Sequence, residues 1–203
     1  EQEAPRDLFL VHLRGQPRNA LITEKVSTLD KVREYFAVTL KEARALRISR
    51  NGLHDEDWHL LQSTISLFHA VELMGLADKL IERTVVYVKE RKQFGRPVGS
   101  FQAVQHKAAD MYLHFQQAAS LIRYAIWCLE NDRSQFFLTA GAAKGYASEI
   151  VPRIAEEAIQ CHGGAGISQD SGLHLYLRRA RLLALVCGTD RECYQDLARR
   201  LLA

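Results

Sequence analysis

Two long runs of helical periodicity with only a short turn between them dictate most of what this chain can fold into. From about Asp55 to Lys92, and again from Ser100 to about Asn131, apolar residues recur every three or four positions. Leu61, Ile65, Phe68, Leu73, Leu76 and Leu80 form the first stripe; Val104, Ala108, Met111, Phe115, Ala118, Leu121 and Ile122 form the second. At ~1.5 Å per residue the first helix would span about 50 Å, so each stripe needs a partner helix to cover it. Between them lies RKQFGRPVGS, where Gly95, Pro97 and Gly99 end one helix and Ser100 is expected to cap the next. Arg91, Lys92 and Arg96 gather positive charge at this elbow, which suits an anion. A basic last turn also complements a helix dipole in any protein.

Residues on either side complete the outline. From about Asp7 to Ile48 the stretches LFLVHL, NALITEKV and EYFAVTL read as strands separated by RGQPRN and STLDK. Two or three strands make a poor independent sheet. A third helix is expected from about Ser134 to Gln160. Its TAGAAKGYAS segment carries so little side-chain bulk that another helix can approach closely, and Pro152 should kink or break it. Shorter helices follow from about Leu173 to Val186 and from about Arg191 to Leu202. The fold class is therefore mainly α: an antiparallel, up-and-down helical bundle over residues 53–203, preceded by a few β-strands over residues 1–52.

Composition narrows the function classes. The 203 residues suffice for one substantial core, and 47% apolar with 25% charged residues is ordinary for a globular chain. A formal charge of only +3, without aromatics interleaved in basic runs, argues against nucleic acid as a partner. No uninterrupted apolar stretch approaches the ~18 residues of a membrane span, and a cytoplasmic location is expected. Cys128, Cys161, Cys187 and Cys193 show neither CxxC pairing nor metal-ligand spacing, so free thiols and no metal are expected. The chain begins with Glu1 rather than Met, which points to processing or to a start partway along a longer polypeptide.

Four motifs then act together. The elbow, QCHGGAG at Gln160 to Gly166, RRAR at Arg178 to Arg181 and CGTDRE at Cys187 to Glu192 occur in the order and at about the spacing of one family. The sequence resembles the carboxy-terminal half of an acyl-CoA dehydrogenase, preceded by the closing strands of that family's β-domain. The resemblance implies FAD as cofactor and an acyl-CoA thioester as substrate: a carboxylate removes the α-proton while the β-hydrogen leaves as hydride to the flavin. By the same resemblance Arg91, Phe94 and Gln102 match positions that contact the FAD of a neighbouring subunit, with Phe94 beside Arg91. A guanidinium there suits pyrophosphate oxygens. Gln160, Cys161, His162, Gly163 and Gly164 match a loop whose backbone approaches the same cofactor. Thr189 matches a residue that touches the subunit's own flavin, although Asp190 and Arg191 depart from the family pattern.

The base is the departure that matters most. Most of the family has a glutamate immediately before the Gly–Thr pair, where this chain has Cys187. A thiol with no evident His or Arg partner in sequence is a poor substitute. A second branch of the family carries the glutamate early in the long helix, at the position of Ile65, and the arginine that follows it is here Ser66. Glu72, seven residues after Ile65 and on the same helical face, is the candidate for a relocated base. The resemblance thus implies a degenerate subunit that pairs with a larger acyl-CoA dehydrogenase subunit in a heterotetramer, as in enzymes of steroid side-chain breakdown. Electron-transfer flavoprotein is a possible acceptor. Two alternatives stand beside it: a competent homotetrameric dehydrogenase with a relocated base, and a flavin-free structural bundle.

Overall fold

A single residue, Asp132, separates two thirty-residue helices, α2 (Gln102–Asn131) and α3 (Arg133–His162). Its carboxylate accepts from the Gln135 N–H (3.1 Å) and the Ser134 hydroxyl (2.7 Å), which caps α3 and holds the acid below the usual carboxylate range. With no loop to spare, α3 must fold back along α2. Ion pairing of Lys107 with Glu157 and the 3.0 Å contact of His114 Nδ1 with the Tyr146 hydroxyl mark the antiparallel course.

The computed structural model describes residues 7–49, 52 and 54–202 and divides the chain into two units, Glu1–Leu61 and Gln62–Ala203. The boundary expected after residue 52 adjoins Leu53, which lies outside the described residues. In the first unit β1 (Phe9–Val11) pairs antiparallel with β4 (Ala45–Arg47), and β2 (Leu21–Val26) with β3 (Tyr35–Leu40). Strand β4 was not foreseen, because three residues are too short to show alternation. Asp7 ties it down by accepting from Arg47 (2.7 Å) and Ser49 (3.0 Å). Ala20 is the one buried apolar residue among those described up to Ser49, whereas Phe9, Leu10, Val38 and Leu40 are each at least half exposed. Two ribbons of this kind have no core of their own.

Helix α1 (Asp55–Glu90) carries the division between the units within it. By length and composition alone it could cross a membrane. In the bundle, one face of it is buried, along Leu67, Ala70, Leu73, Ala77, Leu80, Thr84 and Val88. The expected stripe is therefore rotated: Leu73 and Leu80 belong to it, but Ile65 and Phe68 are 39% and 70% exposed. Apolar residues surround much of this helix, so periodicity did not select one face.

The elbow is more structured than a Gly/Pro break. Helix α1 ends at Glu90, and β5 (Lys92–Gln93) and β6 (Arg96–Pro97) form a minimal hairpin whose two turn residues, Phe94 (φ 54°) and Gly95 (φ 78°), are both left-handed. A 3-10 turn, Val98–Ser100, follows, and α2 starts one residue later than Ser100 could cap it. The Ser100 hydroxyl donates instead to the Pro97 carbonyl (2.7 Å), and Phe101 occupies the N-cap position without a side-chain bond. Gly99 is required because a Cβ there would lie 2.9 Å from the Val88 carbonyl oxygen.

Helix α3 continues through Pro152, so of the expected kink or break the break does not occur. Proline forfeits one helical hydrogen bond, but the residue is buried among helices that hold the axis. After α3 come a single turn, α4 (Gly164–Ile167), a 3-10 turn (Gln169–Ser171), α5 (Leu173–Leu185) and α6 (Asp190–Leu202). The small residues of α3 serve as expected: Tyr194 of α6 packs against Gly145, where a Cβ would come within 2.9 Å of its ring, and donates to Glu149 (3.0 Å). Gly145→Ala should therefore destabilise the bundle by about 1–3 kcal/mol. Gly141→Ala, four residues earlier with nothing within 4 Å of its added Cβ, should stabilise by up to ~1 kcal/mol. Urea midpoints of the two variants should move in opposite directions.

Candidate functional site

Apart from Ile65 and Glu72 on α1, the residues singled out from sequence fall at two ends of the bundle. At the first end α1 finishes, α2 begins and α3 finishes. Arg91 caps the course of α1, its N–H donating to Tyr87 (2.8 Å) and its carbonyl accepting from Val98 (2.7 Å), while its side chain is exposed. Gln102, the first residue of α2, and Gln160, near the end of α3, are exposed as well. Phe94 is 92% exposed at the hairpin tip and meets the Phe101 ring edge-on at 6.1 Å. Arg96 lies 4.1 Å over that same ring, so it is Arg96 that stacks on an aromatic of the elbow. Holding a bulky residue left-handed costs about 1–2 kcal/mol, so the hairpin presents Phe94 at some expense of stability.

A stacked pair ties the α3 terminus to α1. The Tyr87 and His162 rings lie 4.2 Å apart at 24°, and the Tyr87 hydroxyl donates to the His162 carbonyl (3.3 Å). His162 Nδ1 sits 2.7 Å from the Ala158 carbonyl, which requires a proton on Nδ1 and leaves Nε2 as acceptor in the neutral ring. Burial pushes the His162 pKa down, with Arg83 adding to the effect against the bond to Ala158. Cys161 is half-buried, and burial raises its pKa. Gly163 turns the chain at φ 59°, and a Cβ at either Gly163 or Gly164 would meet nothing within 4 Å, so this turn offers open backbone. Beside it a groove of 690 Å³ is lined by Arg83, Tyr87, Glu90, His162, Ala165 and Ser171. Arg83 fixes its rim by donating to the Ser171 carbonyl (2.5 Å).

Cys187 and Thr189 occupy the other end. Lys144 of α3 bonds the carbonyls on both sides of Cys187, and its position lies eighteen residues, or about 27 Å of helix, from His162. Cys187 is exposed and left-handed (φ 61°). Thr189 and Glu192 form a capping box for α6: the Glu192 carboxylate accepts from the Thr189 N–H (2.8 Å) and hydroxyl (2.9 Å), and the Glu192 N–H donates back to the hydroxyl (3.2 Å). Those bonds hold the Glu192 carboxyl below its usual range and occupy the Thr189 hydroxyl. Asp190 accepts from the Arg191 N–H (2.9 Å).

Neither position on α1 joins Cys187 in a recognisable acid–base pair. Ile65 is a partly exposed apolar side chain. Glu72 accepts two bonds from Arg179 of α5 (2.6 and 3.2 Å), and Arg179 is 3% exposed. Sequence reasoning missed Tyr87, Arg83, Arg179 and Lys144 as organising residues. A signal existed for two of them, since Arg179 lies in RRAR and Lys144 is the lone charge in a run of small residues.

Residues 66–202 match the family described as Acyl-CoA dehydrogenase, C-terminal domain. The chain belongs to the acyl-CoA dehydrogenase family. It is 39% identical over 129 residues to a probable acyl-CoA dehydrogenase, YngJ, of Bacillus subtilis, a match covering 64% of this chain and 34% of that protein. It is 33% identical over 174 residues to the acyl-CoA dehydrogenase IpdE2 of Mycobacterium tuberculosis, covering 86% and 50%. The chain thus spans at most half the length of these two relatives. Among solved structures, the Tcur3481-Tcur3483 steroid ACAD superposes with a TM-score of 0.84 at 26% identity, over 97% of this chain and 52% of that one. The ChsE4-ChsE5 complex of Mycobacterium tuberculosis shares the fold, with a TM-score of 0.80 at 23% identity over 93% and 50%.

His162 supplies a test of the first end. Its pKa lies below the ordinary value of 6.5, so the unfolded chain takes up the proton first as pH falls. Its contribution to stability is full above about pH 6.5 and declines as pH drops from there toward its folded pKa. The urea midpoint should fall between pH 7.5 and 5.5, and His162→Gln should shrink that difference; an unchanged difference would assign the slope to other groups.

Proposed function

We propose that this chain is a subunit of an FAD-dependent acyl-CoA dehydrogenase that supports a neighbouring subunit's flavin and lacks the usual catalytic base. The observation that carries this reading is the separation of the two ends. Arg91, Gln102, Gln160 and the open Gly163–Gly164 turn stand together and exposed, while Cys187 stands where the family's carboxylate is expected.

The residues present fit the cofactor. An exposed guanidinium can bond pyrophosphate oxygens through its planar fork. The carboxamides of Gln102 and Gln160 offer both donors and acceptors to an adenosine end. Backbone without side-chain obstruction at Gly163 and Gly164 allows close approach. Phe94, held out at the hairpin tip, adds an apolar face. FAD, when bound, takes the β-hydrogen of the acyl thioester as hydride. This chain's own part is to orient and retain that cofactor, with Thr189 already committed to its capping box and Glu72 to Arg179. In this reading residues 1–52 are the closing part of a β-domain and residues 53–203 the bundle.

The base would then come from a larger partner subunit, in a heterotetramer acting in the cytoplasm. Relatives named as a steroid ACAD and as the ChsE4-ChsE5 complex support an assembly of two chain types and a bulky acyl-CoA, such as a steroid side chain, as substrate. Electron-transfer flavoprotein would reoxidise the flavin.

The assembled protein should show a flavin spectrum that acyl-CoA bleaches, whereas the isolated chain should show no turnover. Arg91→Ala in the assembly should weaken FAD retention by about ten- to a hundredfold, the loss of one charge-assisted contact. Robust turnover by the isolated chain would overturn the proposal. In the assembly Glu72→Gln should leave the chemical step intact; abolished turnover with flavin retained would make Glu72 a relocated base.

A further inference from the structure

Lys144 is wholly buried, at 0% exposure, in the middle of α3. Its three N–H bonds all find oxygen: the Ser148 hydroxyl at 2.7 Å, the Gly188 carbonyl at 3.2 Å and the Ala184 carbonyl at 3.3 Å. Among the described residues no carboxylate closes an ion pair with it. Burying an ammonium without an acid is expensive, and burial does push the Lys144 pKa down. A lysine kept there under that cost is held by something specific.

Its acceptors supply the reason. Ala184 is one residue from the end of α5, where the last carbonyls lack intrahelical donors and carry the negative end of the helix dipole. Gly188 lies in the corner between α5 and α6, and both Cys187 and Gly188 are left-handed there, at φ 61° and 98°. Thr189 is already closed by the capping box with Glu192. The corner is thus gripped from α6 on one side and from α3 on the other.

We propose that Lys144 is a positioning residue that caps α5 from the neighbouring helix and holds the Cys187–Thr189 corner in its left-handed course. The clamp stands on geometry alone. Only the use of that corner as a surface facing acyl substrate or flavin rests on the function proposed above. Removing the ammonium leaves the Ala184 and Gly188 carbonyls without donors and lets the corner open while the rest of the bundle stays packed.

Two native thiols report on this without any cofactor. Cys193 is half-buried behind the corner, its Sγ 3.9 Å from where a Cβ on Gly188 would stand, and Cys128 is fully buried in the core. The full chain, purified with whatever accompanies it, is treated with iodoacetamide, and alkylation at each cysteine is followed by mass spectrometry for the native protein and for Lys144→Met. Cys193 should label about tenfold faster or more in the variant while Cys128 stays unchanged. An unchanged Cys193 rate overturns the proposal, and so does a parallel rise at Cys193 and Cys128, which would make Lys144 a prop of global stability only. Should Lys144→Met fail to accumulate, Lys144→Gln keeps a polar side chain that, being shorter, cannot bridge the Ala184 and Gly188 carbonyls. A selective rise of a few-fold at Cys193 then supports the clamp, and its absence overturns it. Flavin content does not enter: a chain that never held flavin still passes or fails on Cys193.

Discussion

Close packing against α3 is the constraint on which the rest of the bundle depends. Fourteen of its thirty residues are buried, and most of those are alanine, glycine, serine or threonine, so neighbours approach its backbone closely. Helix α2 covers one side through the Asp132 corner, Tyr194 of α6 lies on Gly145, and α5 runs where Lys144 can reach its last turn. A larger side chain at such positions would push a whole helix away rather than one ring. That is why the Gly145 and Gly166 contacts matter more than the apolar area of any one leucine. Gly166 is the sharper case, since a Cβ there would fall 2.4 Å from the Ile159 carbonyl.

That packing also separates two kinds of surface. Where α1, α2 and α3 end together, the side chains most able to hold an anion or a nucleoside are exposed, and the turn between α3 and α4 leaves its backbone open. The run of α3 from His162 to Lys144 then covers some 27 Å to the α5–α6 corner, where Gly188, Thr189 and Glu192 are engaged by neighbours. Glu192 holds Thr189, and Lys144 holds Gly188. One end leaves its polar side chains exposed and the other is largely closed on itself, and the proposed support of a neighbour's flavin rests on that asymmetry.

The ion pair of Glu72 with Arg179 follows the same logic within the bundle. An arginine buried to 3% exposure needs a carboxylate, and Glu72 on α1 is where that need is met. The pair therefore joins the middle of α1 to α5, while nearer its C-terminal end α1 is tied to the end of α3 by Tyr87 to His162 and to the turn before α5 by Arg83 to Ser171. From Glu72 onward α1 is thus fastened by polar contacts, which fix a register that its apolar residues, spread over more than one face, do not.

Periodicity, the Gly/Pro elbow and four motifs in order were enough to determine from sequence a long-helix bundle, its family and which residues to inspect. Helix formation depends on neighbours in the chain, so the helices were legible, and the family followed from the resemblance of the motifs. Tertiary structure decided that Ile65 and Phe68 leave the core stripe and that α3 stays helical past Pro152. It also decided what Glu72 and Lys144 do. Those two side chains find their partners at a distance in sequence, Glu72 in Arg179 and Lys144 in the Ala184 and Gly188 carbonyls, and no short window of sequence contains both members of such a pair.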